Sequence, residues 1–265
     1  ITFDSKVKAV KVGWGYIVAA LENEIYVYRC SQQEVGLFHK IETLPNPKGL
    51  CVISDQSSTP VLACPGLKKG YVYVGNIGEK DTMFISAHNS HIACLALSRT
   101  GDLLATASSN GTVIRIFNTF DGACLQQLIR GTKRAQIYSI ALSPDRLLAV
   151  SSDKGTVHIF GLDIKMWGTD TNSSNENVKT RSSLSFKEGV LSKHLISKRS
   201  FAQFHSSKKN RSVIGFGQHN TIMIFWLDGS FYRCEFDPEN GGEMVQKEHL
   251  KFLDYDEGID TQRSS

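Results

Sequence analysis

No apolar run in the 265-residue chain approaches the ~20 residues a helix needs to cross a bilayer, and no basic-then-apolar leader precedes Ile1. The six cysteines, Cys30, Cys51, Cys64, Cys94, Cys124 and Cys234, are scattered and never fall at C-x-x-C spacing. That argues against a zinc site or a disulfide frame and for buried free thiols in a reducing compartment. Catalytic spacings are missing too: the eight histidines form no H-x-H or H-E-x-x-H pattern, and no G-x-S-x-G occurs. No catalytic residue, metal ligand or cofactor is therefore expected, and the chain reads as a non-enzyme. A net charge of +4 is too small for a nucleic-acid coat, so no nucleic-acid partner is expected. The expectation from these absences is a soluble, cytoplasmic protein.

Long helical periodicity is also missing. The chain instead carries short alternating runs of Val, Ile, Tyr and Phe broken by Gly, Asn, Asp and Pro, an all-β signature. The runs recur. Val7 to Val12, Leu50 to Ile53, Ile92 to Leu97, Ile137 to Leu142 and Phe201 to Phe204 each open a similar block, the first four at a spacing of 42 to 45 residues. A period of ~40 to 45 with four strands per unit marks the blades of a β-propeller. The clearest copies pair Leu95-Ala96-Leu97-Ser98 with Ile140-Ala141-Leu142-Ser143, and Ser108-Ser109-Asn110-Gly111-Thr112 with Ser152-Asp153-Lys154-Gly155-Thr156. Asn110-Gly111 and Gly155 supply the positive φ of tight hairpins. A β-sandwich, the other all-β option, has no need of this block-level likeness.

Two stretches carry more specific signals, Leu128-Ile129-Arg130-Gly131 between blocks and Ser151-Ser152-Asp153-Lys154-Gly155-Thr156-Val157-His158-Ile159-Phe160 after it. With Pro45-Asn46-Pro47-Lys48-Gly49-Leu50-Cys51 and Gly229 to Pro238, they resemble the PROPPIN family, closest to its plant branch. The resemblance implies a WD40-like, seven-bladed propeller that binds phosphatidylinositol 3-phosphate and the 3,5-bisphosphate in autophagosome formation. It also implies peripheral attachment to preautophagosomal, endosomal or vacuolar membranes, and a lipid-transfer protein as partner. At ~43 residues a blade, seven blades and an insertion need roughly 320 residues. The expectation is thus a single propeller over 1–265, a monomer, with five to six blades represented and the N-terminal part missing.

Phosphates and ring hydroxyls call for guanidinium forks, hydroxyl donors and closely approaching backbone. Arg130, Gly131, Ser152, Thr156 and His158 supply that set and match one family lipid site. Thr106, Ser108, Gly111, Thr112 and Arg115 match a second, weaker one, in which Ile129 stands where the family has the first arginine of its pair. Thr and His beside glycine turns also serve ordinary propeller hydrogen bonds, and for His158 alone that reading is favoured; the five together point to lipid. If His158 contacts phosphate, affinity should rise below about pH 6.5.

Charge is unevenly spread. Gly161 to Arg211 holds 10 Lys+Arg against 4 Asp+Glu, and Glu235 to Ser265 holds 3 against 9. The basic insertion, 162–200, contains Phe186, Val190, Leu191, Leu195 and Ile196 on one face of a short amphipathic helix reaching Arg199, with Lys187 among its basic residues. That pattern suits an anionic membrane surface, as does the membrane-inserting loop of the family; an idle loop open to phosphorylation is the alternative. The acidic stretch, 239–265, reads as a tail that is solvated or contacts a partner. A WD-repeat scaffold binding only protein is the competing function.

Overall fold

Apolar alternation between glycine-bearing turns is realised as antiparallel four-stranded sheets. In the computed structural model the described residues are 1–252, excepting 33, 57–58, 80 and 165–196. The first sheet contains β1 (Ala9–Gly13), β2 (Tyr16–Ala20), β3 (Glu24–Cys30) and β4 (Val35–Glu42). The second contains β5 (Val52–Ile53), β6 (Val61–Pro65), β7 (Tyr71–Asn76) and β8 (Thr82–Ser86), and the third β9 (Ile92–Leu97), β10 (Leu103–Ser108), β11 (Val113–Asn118) and β12 (Cys124–Ile129). The fourth begins with β13 (Ile137–Leu142), β14 (Leu147–Ser152) and β15 (Thr156–Gly161). After the insertion come β16 (Ser197–Arg199), which joins the third sheet, and β17 (Ala202–His205), which completes the fourth. The fifth holds β18 (Ser212–Phe216), β19 (Thr221–Trp226), β20 (Ser230–Glu235) and β22 (Val245–Lys251), while β21 (Gly242–Glu243) pairs with β17.

These are the blades of a β-propeller. Residues from the inner strands β1, β5, β9, β13 and β18, among them Lys11, Ile53, Leu95, Ile140 and Ile214, line one central cavity of about 1120 Å³. Each pair of successive blades buries an apolar core: Ile25 and Leu62 between the first and second, Val72 and Leu104 between the second and third, Leu128 and Phe160 between the third and fourth, and Ile159 and Ile224 between the fourth and fifth. Each fully buried large side chain contributes ~1.5–3 kcal/mol, so the junctions hold the arrangement together. The outward faces of the two end blades carry exposed apolar side chains, Val10 and Val12 on one and Val213, Phe225 and Phe252 on the other. All six cysteines are free, and Cys51, Cys64, Cys94 and Cys234 are buried.

Four expectations need correcting. Phe201 to Phe204 does not open the fifth block. Ala202–His205 is the outer strand of the fourth blade, separated from its neighbour β15 by the insertion, and the fifth blade opens at Ser212. Ser230–Glu235 is the third strand of that blade, so five blades are present among the described residues, and the upper of the two expected counts, six, is not reached. The amphipathic pattern reaching Arg199 is not helical at its end, because Ser197–Arg199 is extended along β12. The acidic stretch is not a tail up to Lys251, since Val245–Lys251 forms the outer strand of the fifth blade, with ion pairs Lys247–Glu235 and Arg233–Glu248.

Candidate phosphate-binding junctions

The outer edge of the third blade separates two blade junctions and contributes to both. Past β12, the backbone N–H groups of Arg130 and Gly131 donate to the Thr112 carbonyl at 2.9 and 3.3 Å, which ties the linker to the β10–β11 turn. Gly111 in that turn has φ +61°, and a Cβ there would stand 1.9 Å from the Ala135 carbonyl oxygen. Glycine is therefore demanded twice, by the left-handed backbone and by the crossing linker. The Arg130 guanidinium lies along this crossing. Its Nε donates to the Gly111 carbonyl at 2.7 Å, and Nη2 donates to the Lys133 carbonyl. Burial draws its pKa down, opposed by Asp153, and the group remains a cation. Around Gly131, by contrast, a Cβ would meet nothing within 4 Å, so that backbone is open to a ligand.

From the fourth blade come Ser152, Thr156 and His158. The even-numbered positions of β15 face the third blade, as Phe160 in the shared core shows, and this brings Thr156 and His158 to the Arg130 side. Thr156 pairs with His205 and His158 with Gln203 across β17. His158 Nδ1 lies 3.1 Å from Ser200 Oγ. Burial, with the Arg130 and His205 charges beside it, pushes the His158 pKa down to about 4. The imidazole is neutral throughout the physiological range, which overturns the expectation of charging below pH 6.5: the ring offers a hydrogen bond, not a charge. Ser152 is buried, and its hydroxyl accepts from Lys154 N at 3.4 Å. The structure thus draws Arg130, Gly131, Ser152, Thr156 and His158 to one junction.

The other set divides. Thr106, Ser108 and Arg115 face the second blade, whereas Gly111 and Thr112 sit at the tip of the β10–β11 turn, to which Arg130 is hydrogen-bonded. Arg115 Nη1 donates to the Ala87 carbonyl of the second blade at 2.5 Å, and Nε donates to Gln127 Oε1 at 3.4 Å. Thr106 is fully buried; its hydroxyl donates to the Arg115 carbonyl and stands 2.9 Å from His88 Nε2. That is an internal, scaffolding position. His88, buried at 7% exposure with its pKa lowered to about 4 by burial and then by Arg115, is the residue missed in the sequence. A signal existed, since Ala87-His88 just before β9 stands where WD-type blades place their Gly-His pair.

The two roots of the insertion meet at the same rim, where Lys198 is ion-paired with Asp163. Phe186, Lys187, Val190, Leu191, Leu195 and Ile196 lie outside the described residues.

A family model described as PROPPIN matches residues 1–251. Autophagy-related protein 18e of Arabidopsis thaliana is 44% identical over 259 residues, covering 97% of this chain and 66% of the relative, so the chain spans just under two thirds of that protein. Autophagy-related protein 18 of Schizosaccharomyces pombe is 34% identical over 288 residues, covering 94% of this chain and 77% of the relative. Among solved structures, the complex of KlAtg21 with the coiled coil of AgAtg16 matches with a TM-score of 0.74 at 21% identity, over 96% of this chain and 73% of that one, a likeness of fold.

Proposed function

The chain belongs to the PROPPIN family, and from that membership we propose that it is a non-enzymatic adaptor in autophagosome formation that reads phosphoinositides on membranes. The ligands of this reading are phosphatidylinositol 3-phosphate and the 3,5-bisphosphate, and the relatives named for autophagy support the setting. The observation that carries it is the convergence of Arg130, Ser152, Thr156 and His158 from two blades onto one rim junction beside the open backbone of Gly131.

In this reading the Arg130 guanidinium holds a phosphate that the open space beside Gly131 lets approach, while Thr156 and neutral His158 hydrogen-bond ring hydroxyls or phosphate oxygens. The insertion rooted at Asp163 and Lys198 makes a second, basic contact with the same anionic surface, where each Lys or Arg contributes about 1 kcal/mol. Two linked contacts bind more tightly than either alone, because the second event is intramolecular. The protein is then peripheral on autophagic, endosomal or vacuolar membranes, where it recruits protein partners.

Flotation with vesicles containing phosphatidylinositol 3-phosphate tests the reading. Wild type should float and an Arg130→Ala, His158→Ala double variant should not. If both stay equally at the bottom, lipid reading fails. One observation favours a second reading, a scaffold that binds only protein: Arg130 is 9% exposed and already donates to two backbone carbonyls. The KlAtg21 structure contains a coiled coil as its partner, which gives that reading a partner chemistry to try.

A further inference from the structure

The junction between the second and third blades has lost an arginine at Ile129, yet the strand that returns from the insertion brings another to the same height. β16 runs parallel to β12 with Gln127 opposite Ser197, Leu128 opposite Lys198 and Ile129 opposite Arg199. Partners in such a ladder sit ~4.8 Å apart and point their side chains to the same face. The faces can be assigned. Leu128 is fully buried in the core shared with the fourth blade, and Lys198, its partner, reaches Asp163 on that side. The alternate positions therefore face the second blade, as Gln127 does when it accepts from Arg115. Arg199 is exposed and shares that face. Among the described residues no carboxylate pairs with Arg115 or Arg199.

We propose that Arg199 supplies, from the neighbouring strand, the guanidinium that Ile129 cannot, so that Arg115 and Arg199 together hold the phosphate monoester of a second inositol head group at this junction. The inference rests on the phosphoinositide reading above. Its chemistry is that of paired guanidinium forks, which match phosphate geometry where a hydrocarbon side chain offers nothing. The consequence is two head-group sites per chain, one centred on Arg130 and one on Arg199, on opposite flanks of the third blade.

Calorimetric titration of the whole chain with soluble dibutanoyl phosphatidylinositol 3-phosphate tests this. Wild type should show two binding events. Arg199→Gln should weaken one by about ten- to a hundredfold, the loss of one charge-assisted contact, and leave the Arg130-dependent event unchanged. Ile129→Arg placed in the Arg199→Gln background should restore it. Lys198→Gln removes the same charge from the opposite face and should leave that event intact; an equal loss would mean general electrostatics and overturn the proposal. So would an Arg199→Gln titration identical to wild type while Arg130→Ala still abolishes its own event. If neither arginine variant alters any binding, the phosphoinositide reading itself falls. Inorganic phosphate should compete poorly, and displacement as effective as that by the short-chain lipid would overturn the head-group assignment.

Discussion

Acidification between about pH 7.5 and about pH 5 should destabilise the protein through two buried histidines. His88 and His158 each have a pKa lowered to about 4 by burial and by a neighbouring arginine, Arg115 for the first and Arg130 for the second. In the unfolded chain each returns to about 6.5. Because the folded value is the lower one, the unfolded state takes up protons first. The stability is fully present above pH 6.5, drains away as pH falls, and is exhausted near pH 4. At pH 5 the folded rings are still mostly neutral and the unfolded ones mostly charged, which costs about 2 kcal/mol per histidine, about 4 kcal/mol together. That is a large share of the roughly 5–15 kcal/mol typical of a domain. Carboxylates hardly enter this window, since in the unfolded chain they titrate near 4, below it, and Asp228 is drawn lower still in the fold, to about 2, by its hydrogen bond with Lys208. Urea unfolding of wild type, His158→Gln and the His88→Gln, His158→Gln double variant across this range checks the reasoning. The single variant should lose about half of the acid sensitivity and the double variant nearly all of it. Parallel pH profiles for wild type and double variant would refute it. Bound lipid adds a corollary: a phosphate beside His158 opposes the lowering of its pKa, so lipid should lessen the acid sensitivity that His158 contributes.

Gly111→Ala should be strongly destabilising, because its Cβ would enter the Ala135 carbonyl at 1.9 Å from a left-handed backbone at φ +61°. A fall in unfolding free energy well above the ~1–2 kcal/mol of the dihedral penalty alone is expected from denaturant titration, with loss of Arg130-dependent lipid binding. Leu128→Ala removes a fully buried side chain from the core joining the third and fourth blades and should cost about 2–5 kcal/mol in the same assay. Gly131→Ala meets no neighbour within 4 Å, so it should leave the unfolding midpoint nearly unchanged while weakening flotation on phosphoinositide vesicles; a stability loss equal to that of Gly111→Ala would contradict the open backbone at that point.

What was legible in the sequence follows from which interactions are local. Turn glycines, alternating strands and the spacing of inner strands are encoded within one block, and they suffice for blades one to four up to Gly161. The fifth block was misplaced because the insertion falls inside the fourth blade, between its third and fourth strands, so that Ala202–His205, an outer strand, imitated the start of a new unit. The acidic stretch misled for a similar reason: on an outermost strand nearly every side chain meets solvent, and Val245–Lys251 carries no buried stripe to betray it. His158 was identified by motif, but its charge state is set by burial and by Arg130, neither of which a strand sequence displays.

The hardest feature to anticipate was the pairing of Ile129 with Arg199. It depends on a parallel contact between residues 70 positions apart, made by a three-residue strand that closes a long insertion. Read along the chain, Ile129 is a loss in a phosphate-binding motif; read across the sheet, it is a position whose cross-strand neighbour carries the missing charge. A propeller makes such exchange feasible, because each rim junction is assembled from strand ends of two blades and whatever borders them. A guanidinium can enter from any strand that reaches the right height and face. On the proposed phosphoinositide reading, the motif marks where phosphate chemistry belongs on the rim, while the sheet register decides which residue delivers it.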